Sequence, residues 1–340
     1  MTNRIMRKIR IVKIFVIVLT IALTIILSGC SNALNEVKSE TSSDQSVNRE
    51  AIIIADQFGL AYAPLEIMKE KQFLEKALAE AGLSKIKVEW KKFGNTTAIR
   101  EAMLSGDLDV GFVGIPPFLI GLDNGMNWKI IAGLSESKVA LVSKDQSIQN
   151  LEDLTKAHRI ILPQPGSIQH ILLQMASKKA LGNPNAFDEQ LIALSHPDGV
   201  IAFTSGDEKQ LHFTTPPYLQ EDLKSEGSKE IIDGITCFGE DFTFIVGICQ
   251  EKVYADRAVY DAFQVALKQS IAFIEENHLE SVAILETVYE YTSDELETFL
   301  SEDQMTFSTE VKGLNTFVDF MFETGALKKT YNNEALFWNN

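Results

Sequence analysis

Short apolar runs alternate with stretches of helical spacing along most of the chain. Ile52-Ile53-Ile54-Ala55 reads as a buried strand. Residues 64–81 place Leu65, Met68, Phe73, Leu74, Ala77, Leu78 and Ala81 on one helical face, with Gly82 as the stop. Ile86, Val88 and Trp90 alternate with Lys87 and Glu89, the period of a half-buried strand. A helix over 96–105 ending at Gly106, a strand over 108–113 and strands over 129–134 and 139–143 complete a first set. The pattern then restarts: a short helix at 151–154, a strand at 159–162, a helix over 167–181 stopped by Gly182, strands at 191–194 and 211–214, and a helix at 217–225. A strand at 243–248 leads into a helical tail (258–276, 279–289, 294–300, 311–325). Alternation of this kind is the mark of βαβ units. The expected fold is α/β with two lobes, each a mostly parallel sheet flanked by helices, and hinge crossings near 139–143 and 243–249.

The first 29 residues are a different object. Arg4, Arg7, Lys8, Arg10 and Lys13 precede an uncharged apolar run, residues 14–27. That run is shorter than the ~20 residues a spanning helix needs, and a cationic segment before a short apolar one reads as a secretory signal. It closes on Leu27-Ser28-Gly29-Cys30, which resembles a bacterial lipobox, in which the Cys30 thiol receives the lipid. Residues 31–49 are rich in Ser, Asn, Thr and Glu and read as a flexible tether. The expected organisation is a signal peptide (1–29), a lipidated Cys30 with its tether (30–49), a first lobe from 50–138 plus 247–340 with the tail, and a second lobe from 139–246. The expected location is the outer face of the cell membrane, held by lipid.

Composition narrows the class. The chain has 340 residues, 45% hydrophobic and 23% charged, with a net charge of −16. That is globular, and the missing basic face argues against nucleic acid as a partner. Three cysteines are present. Cys237 and Cys249 lie 12 apart and could pair in an oxidising compartment. The apolar run around Cys249 favours two small buried hydrophobes instead.

Ligands of open α/β sheets bind beyond the carboxyl ends of the strands. The polar residues there are Asp56-Gln57-Phe58-Gly59 and Tyr62, Gly94-Asn95-Thr96-Thr97, Gly114-Ile115-Pro116-Pro117, Ser135-Glu136-Ser137, Pro165-Gly166-Ser167-Ile168-Gln169-His170, Ser195-His196-Pro197-Asp198 and Thr214-Thr215-Pro216-Pro217-Tyr218. Asn95 or Thr96 and Ser167 cap helices whose leading N–H groups lack intrahelical partners, a modest anion site in each case. His170, His196 and His212 match no metal spacing, and no metal or other cofactor is expected. His158 and His278 read as surface residues. The chain carries no G-x-S-x-G, H-E-x-x-H, Walker A or G-x-G-x-x-G motif.

Several segments together carry a likeness: Ala55-Asp56-Gln57-Phe58-Gly59, AIREAMLSGDLDVGFVGIPPFLIG (98–121), SIQNLEDL (147–154) and PQPGSIQHILLQM (163–175). They resemble the substrate-binding lipoproteins of ABC importers, in the nitrate, taurine, sulfonate and thiamine-precursor group. The resemblance spans roughly residues 50–275. It implies the two-lobed periplasmic-binding-protein-like (type II) fold and a cleft that closes on a small solute. It implies an ABC permease with its ATPase as partner, membrane attachment through Cys30, a monomer, and no enzymatic activity. Carried over by position, the ligand-facing residues are Gln57, Tyr62, Asn95, Thr96, Pro116, Ser137, Ser167, Gln169, His196 and Thr215. No arginine falls in a cleft loop where it could clamp a sulfonate, since Arg100 and Arg159 lie in a helix and a strand. That departure argues against a strong oxyanion and leaves a neutral or zwitterionic solute, such as a pyrimidine precursor, open. The rival readings are a lipoprotein that binds a protein partner or acts as a sensor, and an enzyme similar to thiamine-pyrimidine synthases, which the lipobox disfavours.

Overall fold

The computed structural model of the chain describes residues 49–301 and 303–338. The predicted signal peptide, Cys30 and all but the last residue of the tether lie outside the described residues. The body begins at Arg49, whose guanidinium is nearly buried between Asp109 (2.9 Å) and Asp256 (3.3 Å).

The first lobe opens with β1 (Ala51–Asp56), α1 (Ala63–Glu70), α2 (Phe73–Glu80), β2 (Lys87–Lys92), α3 (Thr96–Ser105), β3 (Val110–Gly114), α4 (Ile115–Asp123) and β4 (Trp128–Ser137). The second lobe follows with β5 (Ala140–Ser143), β6 (Arg159–Leu162), α5 (Ile168–Leu181), β7 (Leu191–Ala193), α6 (His196–Ser205), β8 (Gln210–Thr214), α7 (Tyr218–Leu223), β9 (Lys229–Asp233) and α8 (Gly234–Phe238). The chain then returns through β10 (Ile245–Gln250), α9 (Glu251–Tyr254), α10 (Arg257–Glu276), α11 (His278–Tyr289), α12 (Ser293–Phe299), β11 (Met305–Phe307), α13 (Leu314–Glu323) and α14 (Asn333–Leu336).

The strands form two sheets, ordered β11-β4-β10-β3-β1-β2 and β7-β6-β8-β5-β9. In the first, β1 pairs parallel with β2 and β3, while β10 runs antiparallel between β3 and β4. In the second, β6 pairs parallel with β7 and β8, and β5 runs antiparallel between β8 and β9. In both sheets the chain leaves a central strand for one neighbour and returns to the other. This reversal leaves a crevice at the strands' carboxyl ends.

Local chemistry explains the elements that frame this crevice. Asn95 caps α3, its side chain accepting the Ala98 N–H, and Gly106 at φ 84° ends the helix in a left-handed turn that glycine takes without strain. Ser167 and Gly182 bracket α5 in the same way. On α10, Val259, Phe263, Ala266, Leu267, Ser270 and Ile274 form the buried stripe that packs on α1 and α2.

The helix expected over 64–81 is two helices. The chain breaks at Gln72, which adopts φ 53° with no glycine or proline to mark it. The expected loop at 114–117 is instead the start of α4, whose Pro116 and Pro117 occupy the first turn, where a missing N–H costs no helical bond. The helix α6 and the edge strands β9 and β11 were not expected. His158 is buried rather than at the surface, its ring held by the Thr155 N–H (2.9 Å) and Asp145 (3.4 Å). Cys237 and Cys249 are free thiols, both buried, and burial pushes each up to about 12.

Candidate functional site

The crevice between the sheets brings together Gln57, Tyr62, Asn95, Thr96, Ser167, Gln169, His196 and Thr215. Pro116 and Ser137 are not in its wall. Because α4 starts at Ile115, it is Pro117 that faces the cavity. Ser137 ends β4 and is hydrogen-bonded to Thr215. Sequence reasoning passed over Gln164, two residues past the end of β6, and Phe244 and Ile245, where the chain re-enters the first sheet. For Gln164 the signal was available: it stands at a strand end like the others.

The site is built from helix beginnings. In α3 the Asn95 carboxamide takes the Ala98 N–H (3.1 Å), leaving the first-turn amides of Thr96 and Thr97 without an acceptor in the helix. In α5 the Ser167 hydroxyl takes the His170 N–H (3.3 Å), leaving those of Ile168 and Gln169. The helix α6 begins at His196, but Pro197 carries no N–H and Asp198 places an acid in the first turn. The start of α4 offers fewer donors, because two of its first three residues are prolines. Both α3 and α5 direct the positive end of their dipole at the cavity.

Side chains complete a neutral wall. Gln57 donates to the Phe112 carbonyl (3.1 Å) and to Thr96 Oγ1 (3.4 Å), which fixes its amide. His196 lies flat against Tyr218, with ring centroids 5.4 Å apart and planes within 3°. Burial, with a smaller push from His212, lowers His196 to about 3, so the ring is uncharged at neutral pH. With His196 neutral, no lining residue carries a formal charge.

Ionic groups lie just outside this wall. Lys92 Nζ reaches Glu66 (2.7 Å) and Asp56 (3.4 Å), and Lys69 also pairs with Glu66 (3.2 Å). Burial raises Asp56 to about 7 against the pull of Lys92. Burial also pushes Glu66 up, but Lys92 and Lys69 outweigh it and hold its carboxyl below the usual range. The other histidines have separate partners. His170 accepts the Gly166 N–H (2.9 Å) and meets Asp188 (3.1 Å). His212 meets Asp222 (2.7 Å), and burial disfavours the charged form of each.

The lobes touch around the cavity. Thr97 donates to Gln164 (3.4 Å), and the Leu60 N–H reaches the Pro216 carbonyl (3.4 Å). Farther out, α7 is tied to the tail by Gln220–Gln304 (3.0 Å), Lys224–Glu295 (2.7 Å) and the Tyr291 hydroxyl on Glu221. The cavity, partly open to solvent, measures about 50 Å³.

No protein-family model and no curated protein sequence matches the chain. Solved structures do. The alkanesulfonate-binding protein SsuA from Xanthomonas axonopodis pv. citri, bound to MOPS, superposes with a TM-score of 0.70 at 18% identity, over 85% of this chain and 98% of that one. The aliphatic sulphonate-binding protein SsuA from Escherichia coli gives 0.66 at 22%, over 85% and 97%. The nitrate-binding protein NrtA from Synechocystis PCC 6803 gives 0.68 at 15%, over 85% and 84%. At these identities the likeness is one of fold. The chain has the two-lobed type II fold of periplasmic binding proteins.

Proposed function

We propose that this chain is the solute-binding component of an ABC importer and captures a small solute bearing an anionic oxygen group, of the sulfonate or nitrate class. On this reading it is a monomer held outside the membrane by lipid on Cys30, and it passes its solute to a permease driven by an ATPase. It binds without transforming the solute.

The observation that carries the reading is the meeting of the α3 and α5 first turns on one cavity of neutral donors. Unpartnered first-turn amides, backed by the helix dipole, hold an oxyanion without an arginine. The missing arginine clamp is therefore no obstacle. The cavity matches the space of about four waters, the scale of a sulfonate or nitrate group. The sulfonate- and nitrate-binding proteins that share the fold support the same class. Solute that binds only when the lobes close also gives closure its cause.

The test is thermal unfolding of the full-length protein with methanesulfonate, taurine, nitrate and the neutral pyrimidine precursor of thiamine. A saturable rise in Tm with an anion is expected, worth about 2.7 kcal/mol at a hundredfold excess over Kd. Ser167→Tyr, which fills the cavity, should abolish the rise while keeping the native circular dichroism spectrum. A rise with the pyrimidine alone, or no rise with any compound, would overturn the reading.

A further inference from the structure

We infer that Thr214 fixes His196 as the tautomer protonated on Nε2, so that an uncharged N–H donor is aimed beside the Gln169 amide into the cleft, where it takes an oxygen of the bound solute. The oxygen's identity rests on the anion reading; the tautomer does not.

The argument starts from Thr214, whose side chain is fully buried at the end of β8. Its hydroxyl has one hydrogen-bond partner among the described residues, His196 Nδ1 at 3.1 Å. A buried hydroxyl left without an acceptor for its proton loses free energy. If Nδ1 carried the proton, Thr214 would have to accept and its own O–H would be stranded. If Thr214 donates, Nδ1 is the acceptor and the proton of a neutral ring sits on Nε2.

The remaining contacts hold the ring in that role. Stacking on Tyr218 fixes its plane. His212, 6.2 Å away between centroids, would repel His196 if both rings were protonated. Asp198, the acid of the same helix turn, is engaged by the Ser195 hydroxyl (2.5 Å). The low proton affinity of His196 keeps it neutral. Its Nε2 then faces Gln169 Nε2 at 3.4 Å. Gln169 is itself 2% exposed, and both residues line the cavity. With the proton on Nε2 the two N–H groups stand side by side as donors; the opposite tautomer would let Nε2 accept from Gln169 but would strand the buried Thr214 hydroxyl. An oxygen of the solute is the acceptor that pairing lacks.

The test uses full-length protein labelled with nitrogen-15 at histidine, because the ring nitrogen shifts distinguish the two tautomers and the imidazolium. At pH 7 His196 should carry its proton on Nε2. Thr214→Ser should keep that state, and Thr214→Val should mix the tautomers. Saturating methanesulfonate should shift the Nε2 proton, and His196→Phe, which keeps the stack on Tyr218, should weaken methanesulfonate binding about tenfold or more. An imidazolium, or a proton on Nδ1, in the unmodified protein overturns the inference. So does a Nε2 proton that methanesulfonate leaves unmoved while binding, because the Gln169 amide has then turned over and taken the proton itself. If the unmodified protein binds no anion, the anion reading fails instead, and the tautomer measurement alone decides the donor assignment.

Discussion

The hydroxyls of Ser137 and Thr215 stand 2.5 Å apart, joining the last residue of β4 to the loop after β8 and so one lobe to the other. Ser137 was expected to face the solute. It acts instead as part of the seam beside the cavity. Ser137→Ala should lower the unfolding free energy by about 1 kcal/mol, the usual worth of one such bond. Urea denaturation of the two proteins checks this, and equal midpoints would mean the seam contributes nothing.

Gly121 tests the packing of the first lobe. A Cβ added there would stand 1.9 Å from Trp128 Cζ2, and Trp128 is fully buried with its indole N–H on the Phe118 carbonyl (3.2 Å). The ring has no room to retreat without losing that bond. Gly121→Ala should destabilise the protein by roughly 1–3 kcal/mol or more through overpacking, although alanine favours helices. Denaturant midpoints and tryptophan fluorescence report it, and an unchanged midpoint would contradict the packing described.

Asp56 gives stability a pH dependence of known sign. Burial raises its carboxyl from the ordinary 3.8 to about 7. The folded protein therefore binds the proton more tightly than the unfolded chain does. The contribution is present in full below about pH 4 and is lost as pH rises to about 7. Glu66, lowered, acts in the opposite sense and in a separate, more acidic window. Unfolding free energy measured from pH 4.5 to 8 should fall less steeply in Asp56→Asn than in the unmodified protein. Identical slopes would remove Asp56 as the source.

The two body cysteines should be silent while the protein is folded. Cys249 is fully buried and Cys237 nearly so, and burial disfavours the thiolate that reacts. A thiol reagent followed by peptide mapping should label neither in native protein and both in guanidinium. Labelling of Cys237 under native conditions would show that the groove between α5, α8 and α13 opens.

The parts legible in the sequence are those governed by local signals. The α3 boundaries follow from Asn95 and Gly106, and those of α5 from Ser167 and Gly182. The cleft residues followed from one rule about strand ends. What escaped is set by distant packing. HPDGVIAFTS suggested no element, yet it forms α6, with Gly199 pressed so close to His212 that a Cβ would lie 2.6 Å from Nε2. The short strands β9 and β11 are edge strands with little apolar alternation, and they form because β5 and β4 supply the pairing. Pro116 was misplaced by one position because Pro-Pro reads as a loop, whereas here it opens a helix. The role of Ser137 depended on a partner 78 residues away, which no local pattern reports.

The insertion of β10 between β3 and β4 has a consequence for synthesis. Residues 110–137 lay down two strands that cannot yet hydrogen-bond to each other, because the strand that separates them is made more than a hundred residues later. The sheet β7-β6-β8-β5-β9 comes from one unbroken stretch, 140–233, and can complete itself first. A chain emerging amino end first therefore presents a finished second lobe hanging from an open sheet. Until β10 is made the facing edges of β3 and β4 are bare, and the outer edge of β4 stays bare until β11 follows at Met305–Phe307.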